Sequence, residues 1–180
     1  MHAFAATLAL ILERLIGYPK PLLDTIRHPV IWMGRLIDLL DQRLNRPDRR
    51  PRWRKVAGIF SLALLLLATL IPTAIVGTLL RQLPAGWIIE AVLATALLAQ
   101  KELGLAVRSV ADALDYSLEA GRKAVSGIVG RDPDTLGKAG VSRAAIETLA
   151  ENAADGVIAP LFWLLVLGLP GIALYKAINT

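Results

Sequence analysis

The chain has 180 residues, 55% of them hydrophobic, and a mean hydropathy of +0.54, which is the balance of a membrane protein rather than of a soluble domain. Its formal charge of +5 comes from basic residues gathered in one loop and not interleaved with aromatics, a pattern that sets membrane topology and argues against nucleic acid as a partner. Without cysteine there is no disulfide framework, thiolate nucleophile or cysteine metal site, and two histidines, His2 and His28, are too few for a histidine-rich metal centre.

Residues 3–16 are apolar apart from Thr7, Glu13 and Arg14. They lack the basic flank and small-residue cleavage site of a signal peptide. The segment is shorter than the roughly 20 apolar residues of a full crossing, so a tilted or re-entrant helix is expected. Gly17, Tyr18, Pro19 and Pro21 end it, and His28-Pro29-Val30 forms an ordered turn before helical spacing resumes over Ile31–Leu44. Arg43, Arg46, Arg49, Arg50, Arg52, Arg54 and Lys55 follow within one short stretch. By the positive-inside rule they place residues 17–57 in the cytoplasm.

Residues 58–80 carry no charge and form the clearest span, with Pro72 and Gly77 as points of bending. The turn 81–86 holds a single basic residue, as an outer hairpin should, and residues 87–103 return as a second span, with Trp87 in the interfacial belt and Glu90 about one turn inside. From Lys101 to Val125 the spacing predicts one long amphipathic helix, striped by Leu103, Val107, Val110, Leu114 and Leu118. Its acids Asp112, Asp115 and Glu119 read as a solvated face, where pairs such as Glu119 with Lys123 contribute a few tenths of a kcal/mol. Asp132 before Pro133 fits a helix N-cap, Gly137 and Gly140 break the chain, and residues 157–175 form a third span interrupted by Pro160, Gly168, Pro170 and Gly171. The expected fold is therefore all-α: a polytopic helical membrane protein of one domain, 1–180, with residues 104–156 as a cytoplasmic amphipathic-helix segment.

Chemistry-bearing residues crowd into that segment. Arg131, Asp132, Glu147, Glu151, Asn152 and Asp155 lie in a short interval that runs directly into apolar sequence. Arg143, Glu147, Glu151 and Asp155 recur every four residues and share one helix face, opposite Ile146, Leu149 and Ala153. Such a row is ordinarily a solvated ridge. Its junction with a span points instead to a site at the membrane surface.

His28-Pro29-Val30 with Gly34, Val129-Gly130-Arg131-Asp132, Ala145-Ile146-Glu147, Glu151-Asn152, Asp155-Gly156, Pro160-Leu161-Phe162-Trp163 and the closing Tyr175-Lys176-Ala177-Ile178-Asn179-Thr180 stand in an order and spacing that resembles the CobD/CbiB membrane family of cobalamin biosynthesis. The resemblance covers essentially the whole chain. It departs at Gly17-Tyr18-Pro19, where the family commonly has Gly-Asp-Pro. It also implies an N-terminal portion, because family members continue past the Lys-Ala-Ile-Asn-Thr motif.

The resemblance implies a carbon-nitrogen ligase or synthase of the inner membrane, with its site on the cytoplasmic side. Adenosylcobyric acid would be joined to 1-amino-2-propanol or its phosphate, giving adenosylcobinamide or its phosphate. The corrinoid is then substrate rather than cofactor, and other late cobalamin-assembly membrane enzymes and the lipid bilayer are the implied partners. For this chemistry Glu147 and Glu151 are the expected catalytic bases, since burial at an interface raises a carboxylate toward the range where it accepts an amine proton. Arg131, Asn152, His28 and Lys176 are expected to bind substrate, Arg131 through its planar fork. Asp155 and Asp132 are the expected Mg²⁺ ligands. The alternatives for these residues are a solvated ridge for Glu147 and Glu151, a cap for Asp132, a structural ion pair for Arg131, a packed or capping role for His28 and a span anchor for Lys176.

Amide formation from a free carboxylate is uphill, so ATP is the expected activator, yet neither a Gly-x-x-x-x-Gly-Lys-Ser/Thr run nor Gly-x-Gly-x-x-Gly is present. Two other classes share the pattern. One is the AmpE-like envelope accessory or sensor proteins. The other is a transporter or scaffold with acids lining a path, against which Glu90 stands as the only acid well inside a predicted span.

Overall fold

A computed structural model describes the chain except Ile26 and Arg131, with backbone alone at Lys20 and Leu22. The described residues are helical or in turns, with no strand. They divide into two compact units, Met1–Leu98 with Ala159–Thr180, and Ala99–Ile158.

The first unit contains α1 (His2–Ile16), α2 (Lys20–Thr25), α3 (Pro29–Leu44), α4 (Pro51–Arg81), α5 (Gly86–Thr95), α9 (Ala159–Leu167) and α10 (Leu169–Asn179). Helix α1 packs on α5 through Ala5, Ala6, Ala9, Ala91 and Ala94, all essentially buried, with Leu164, Ile172 and Ala173 completing the core. Small side chains at such a seam let two backbones approach closely, the packing that substitutes for hydrophobic drive inside lipid. Gly17 ends α1 at φ 67, a conformation only glycine adopts without strain.

Helix α4 runs 31 residues, unbroken through Pro72, and so begins within the basic stretch. Its length is roughly 46 Å, enough to cross about 30 Å of hydrocarbon with its basic first turns outside. Only 11% of its most apolar window is buried, so most of its surface is available to lipid.

The second and third expected spans are interrupted. Helix α5 stops at Thr95, about 15 Å from its start, because the chain turns there to bury Leu97 and Leu98 in the core. Residues 157–175 break at Gly168, φ 68, and α10 folds back on α9, with Gly171 so close to the Trp163 carbonyl that no side chain would fit. The break is held by Glu90. Glu90 is buried, and its carboxylate accepts the Leu169 N–H at 3.0 Å and lies 3.2 Å from His2 Nδ1. Two helical segments among the described residues, Pro51–Arg81 and Lys138–Leu167, are long and apolar enough to cross a membrane.

The second unit contains α6 (Gln100–Tyr116), α7 (Leu118–Ser126), α8 (Lys138–Ala153) and a π-helical turn, Ala154–Ile158. Val110, Val125, Val141, Ala144 and Ala145 form its core, with Leu114 and Leu118 against them, as the expected stripe requires. The long helix expected over 101–125 is two helices. Ser117 adopts extended geometry (φ −161, ψ 159) and its hydroxyl accepts the Ala120 N–H at 3.0 Å, so one residue ends α6 and caps α7.

Candidate active site

The residues singled out in sequence fall into two groups, one in each unit. In the second unit, Glu147, Thr148, Glu151 and Asn152 of α8 face Ile128, Val129 and Gly130 across an open cleft of about 330 Å³. Helix α8 buries Val141, Ala144, Ala145 and Thr148, which turns Glu147, Glu151 and Asn152 outward, and all three are exposed. Ile146, on the face opposite the acids, is 64% exposed, so the buried side of α8 lies between the two faces read from the four-residue repeat. Asn152 donates from Nδ2 to the Thr148 carbonyl at 2.9 Å, which fixes the amide plane and leaves its oxygen to accept.

The far wall of the cleft is positioned by a contact that spacing does not reveal. Arg122 Nε donates to the Leu136 carbonyl at 2.7 Å, clamping the base of the loop that carries Val129 and Gly130. Arg131 lies outside the described residues. Asp132 begins no helix: its Oδ1 accepts the Asp134 N–H at 2.9 Å in an Asx turn, and α8 starts only at Lys138, with Gly137 as N-cap and Gly140 inside the helix.

Asp155 sits half-buried in the π-helical turn. A π turn widens the helix, and such turns recur at functional sites. This one is stabilised by Ala99, whose N–H donates to the Gly156 carbonyl at 3.1 Å and whose methyl a side chain at 156 would meet. No group of three or more His, Asp or Glu side chains gathers in metal-binding geometry among the described residues.

In the first unit, two segments far apart in sequence meet. His28 caps α3, its Nδ1 accepting the Val30 N–H at 3.3 Å ahead of Pro29 in the first turn. Lys176 of α10 lies within electrostatic range of it, and Gly34 of α3 faces the Thr180 methyl. Burial first and the Lys176 charge second lower the His28 pKa below its ordinary 6.5, favouring neutral imidazole. Tyr18 packs against His28 with ring centroids 4.7 Å apart and planes tilted by 59°, and donates its hydroxyl to the Arg27 carbonyl at 2.9 Å. Arg27 itself is held at φ 64, a strained conformation for a residue with a side chain. Sequence reading found His28 and Lys176 but passed over Tyr18, whose only local signal was its place between Gly17 and Pro19.

Fold and site together define an all-helical protein with two helices fit to cross a membrane and a carboxylate-and-amide cleft on a helical unit. The chain belongs to the CobD/CbiB family, whose model, described as CobD/Cbib protein, matches residues 6–180. It is 47% identical over 174 residues to the cobalamin biosynthesis protein CobD of Sinorhizobium fredii, covering 96% of this chain and 53% of that one. The protein of the same description from Brucella suis is 47% identical over 176 residues (97% and 54%), and that from Rhodobacter capsulatus 44% over 183 (98% and 56%). The chain thus spans about half the length of these relatives. No solved structure matches it.

Proposed function

We propose that this protein acts in cobalamin biosynthesis, forming the amide bond between a side-chain carboxylate of adenosylcobyric acid and the amine of 1-amino-2-propanol or its phosphate. The observation that carries the reading is the family match over residues 6–180, with relatives named for cobalamin biosynthesis. The cleft supports the finer step. Glu147 and Glu151 stand side by side at its edge, open to solvent, with the Asn152 amide beside them.

In this reading the corrinoid carboxylate is first activated by ATP, as an acyl phosphate or adenylate. Asp155 or Asp132 would hold Mg²⁺, which would shield the charge of the nucleotide phosphates. The ammonium group of the amino alcohol gives a proton to Glu147 or Glu151, the freed amine attacks the activated carbonyl, the C–N bond forms, phosphate or AMP leaves with the acyl–oxygen electron pair, and the second proton of the nitrogen passes to the other glutamate or to the departing phosphate. Asn152 accepts a hydrogen bond from the substrate, and Arg131 takes its phosphate or carboxylate.

The test uses purified protein in detergent with adenosylcobyric acid, the amino alcohol or its phosphate, and Mg²⁺, with and without ATP, followed by mass spectrometry. A mass gain of one amino-alcohol unit is expected. Glu147→Gln or Glu151→Gln should slow it by roughly 10²–10⁴, the range of general-base catalysis, with corrinoid binding retained. Folded protein that neither forms product nor binds corrinoid would sink the reading.

A further inference from the structure

The first unit carries a groove for which the proposed reaction has no use. It begins between the end of α3 and the start of α4 as a cavity of about 480 Å³, polar at its mouth, with Asp41, Asn45, Arg54 and Lys55, and apolar below, with Ile37 and Leu40. A second cavity of about 400 Å³, lined almost wholly by apolar side chains such as Trp32, Leu36, Pro72 and Val76, continues along the same two helices. Leu65 lines both.

We infer that this groove binds an anionic phospholipid, its headgroup phosphate at Arg54 and Lys55 and an acyl chain along Ile37, Leu40 and Leu65. Charge complementarity is the first argument. The stretch 41–55 holds seven basic residues, named above, against Asp41 and Asp48. At the mouth, Asp41 is occupied: its Oδ1 accepts from Asn45 Nδ2 at 2.8 Å, and Asn45 Oδ1 accepts from Arg54 Nε at 3.1 Å. That relay orients the Arg54 guanidinium while leaving its two terminal nitrogens, and the Lys55 ammonium, without a partner among the described residues. Basic pockets between membrane helices on the cytoplasmic side are where anionic headgroups are held.

Dimensions are the second argument. Charged sequence ends at Lys55 and apolar sequence begins at Val56, so Lys55 marks the water–hydrocarbon boundary. In this reading the α3 wall from Trp32 to Leu40 enters the bilayer with α4, which narrows the cytoplasmic stretch expected over 17–57 to the basic residues around 43–55. From Lys55 to Leu65 the helix rises roughly 15 Å, the depth of one leaflet in a core of about 30 Å. The cavity therefore changes from polar to apolar over the distance in which a lipid does. Trp32 and Trp53, both largely exposed, flank the two ends of the α3–α4 pair.

The test is native mass spectrometry of the purified full chain released from detergent, titrated with phosphatidylglycerol or phosphatidylcholine of equal chain length. One phosphatidylglycerol per chain should be retained, at least about tenfold more tightly than phosphatidylcholine. Arg54→Gln with Lys55→Gln should weaken it roughly tenfold, whereas Arg46→Gln with Arg49→Gln, the same charge removed outside the cavity, should change it less than about twofold. Gly58 lines the cavity and a Cβ there meets nothing within 4 Å, so a side chain at 58 starts in open space, and Gly58→Phe should abolish retention in protein that stays helical. Equal binding of the two lipids, equal loss from both arginine-containing pairs, undiminished retention in Gly58→Phe, or displacement by inorganic phosphate would each overturn the inference.

Discussion

His28 shows how one residue can serve structure and site together. Its Nδ1 is committed to the α3 cap, and Nε2 is the nitrogen left for a ligand. Because burial and Lys176 lower its folded pKa below the unfolded 6.5, the unfolded chain binds the proton more readily. The stabilising contribution is therefore complete above pH 6.5 and is lost as pH falls through the folded pKa. Thermal melts of the detergent-solubilised protein should show a stability decline below pH 6.5 that Lys176→Gln shrinks, since that variant removes the second cause. His28→Asn keeps a capping oxygen while removing the titration, so it should flatten that part of the profile at little cost at pH 8; His28→Ala should cost about 1 kcal/mol at pH 8 and less below pH 6.5, where the contribution of His28 is already being lost. An unchanged pH profile in His28→Asn would assign the decline to other groups. None of this was legible from His28-Pro29 alone. The motif named the residue, but its neutral bias comes first from burial and then from Lys176 on α10, almost 150 positions away in sequence.

At the scale of elements, the sequence announced where helices exist more clearly than where they stop. The apolar run of α4 and the stripe of α6 are periodic, and periodicity is local. The breaks at Thr95, Ser117 and Gly168 depend on partners. Ser117 looks like any helix-surface serine until its hydroxyl is seen on Ala120, and Gly168 is fixed by Glu90, 79 residues away along the chain from its bonded neighbour Leu169. Two substitutions separate these causes. Ser117→Ala should destabilise by about 1 kcal/mol through loss of the cap, with Ser117→Asp restoring it. Glu90→Leu strands a buried N–H and should cost about 1–3 kcal/mol, whereas Glu90→Gln retains an acceptor and should cost less. Equal destabilisation by Leu and Gln would mean that the charge beside His2, rather than the bond to Leu169, holds the turn. The register of the candidate site was likewise only half legible. Glu147, Glu151 and Asn152 do line one cleft, but the π turn at Ala154–Ile158, with its bond from the Ala99 N–H to the Gly156 carbonyl, has no signature in the spacing.

For the whole molecule, the question is which side of the membrane each end of α4 occupies. The seven basic residues between Arg43 and Lys55 oppose a single Arg81 at the other end, an asymmetry that the positive-inside rule converts into a cytoplasmic start and an outer end. The first end also carries the proposed lipid mouth, so its placement decides which leaflet that groove meets. The chain has no cysteine, which makes it its own background for labelling. Introduced singly, Arg46→Cys should be protected from a membrane-impermeant maleimide in intact cells and react after permeabilisation, while Gln82→Cys should react in both. Both positions are exposed and at turns, so neither outcome is confounded by burial. Labelling of Arg46→Cys in intact cells, with Gln82→Cys protected, would invert α4 and move the basic cavity to the outer leaflet. Labelling of neither before permeabilisation would mean that α4 does not cross, and that its largely unburied apolar surface is covered by protein instead of lipid.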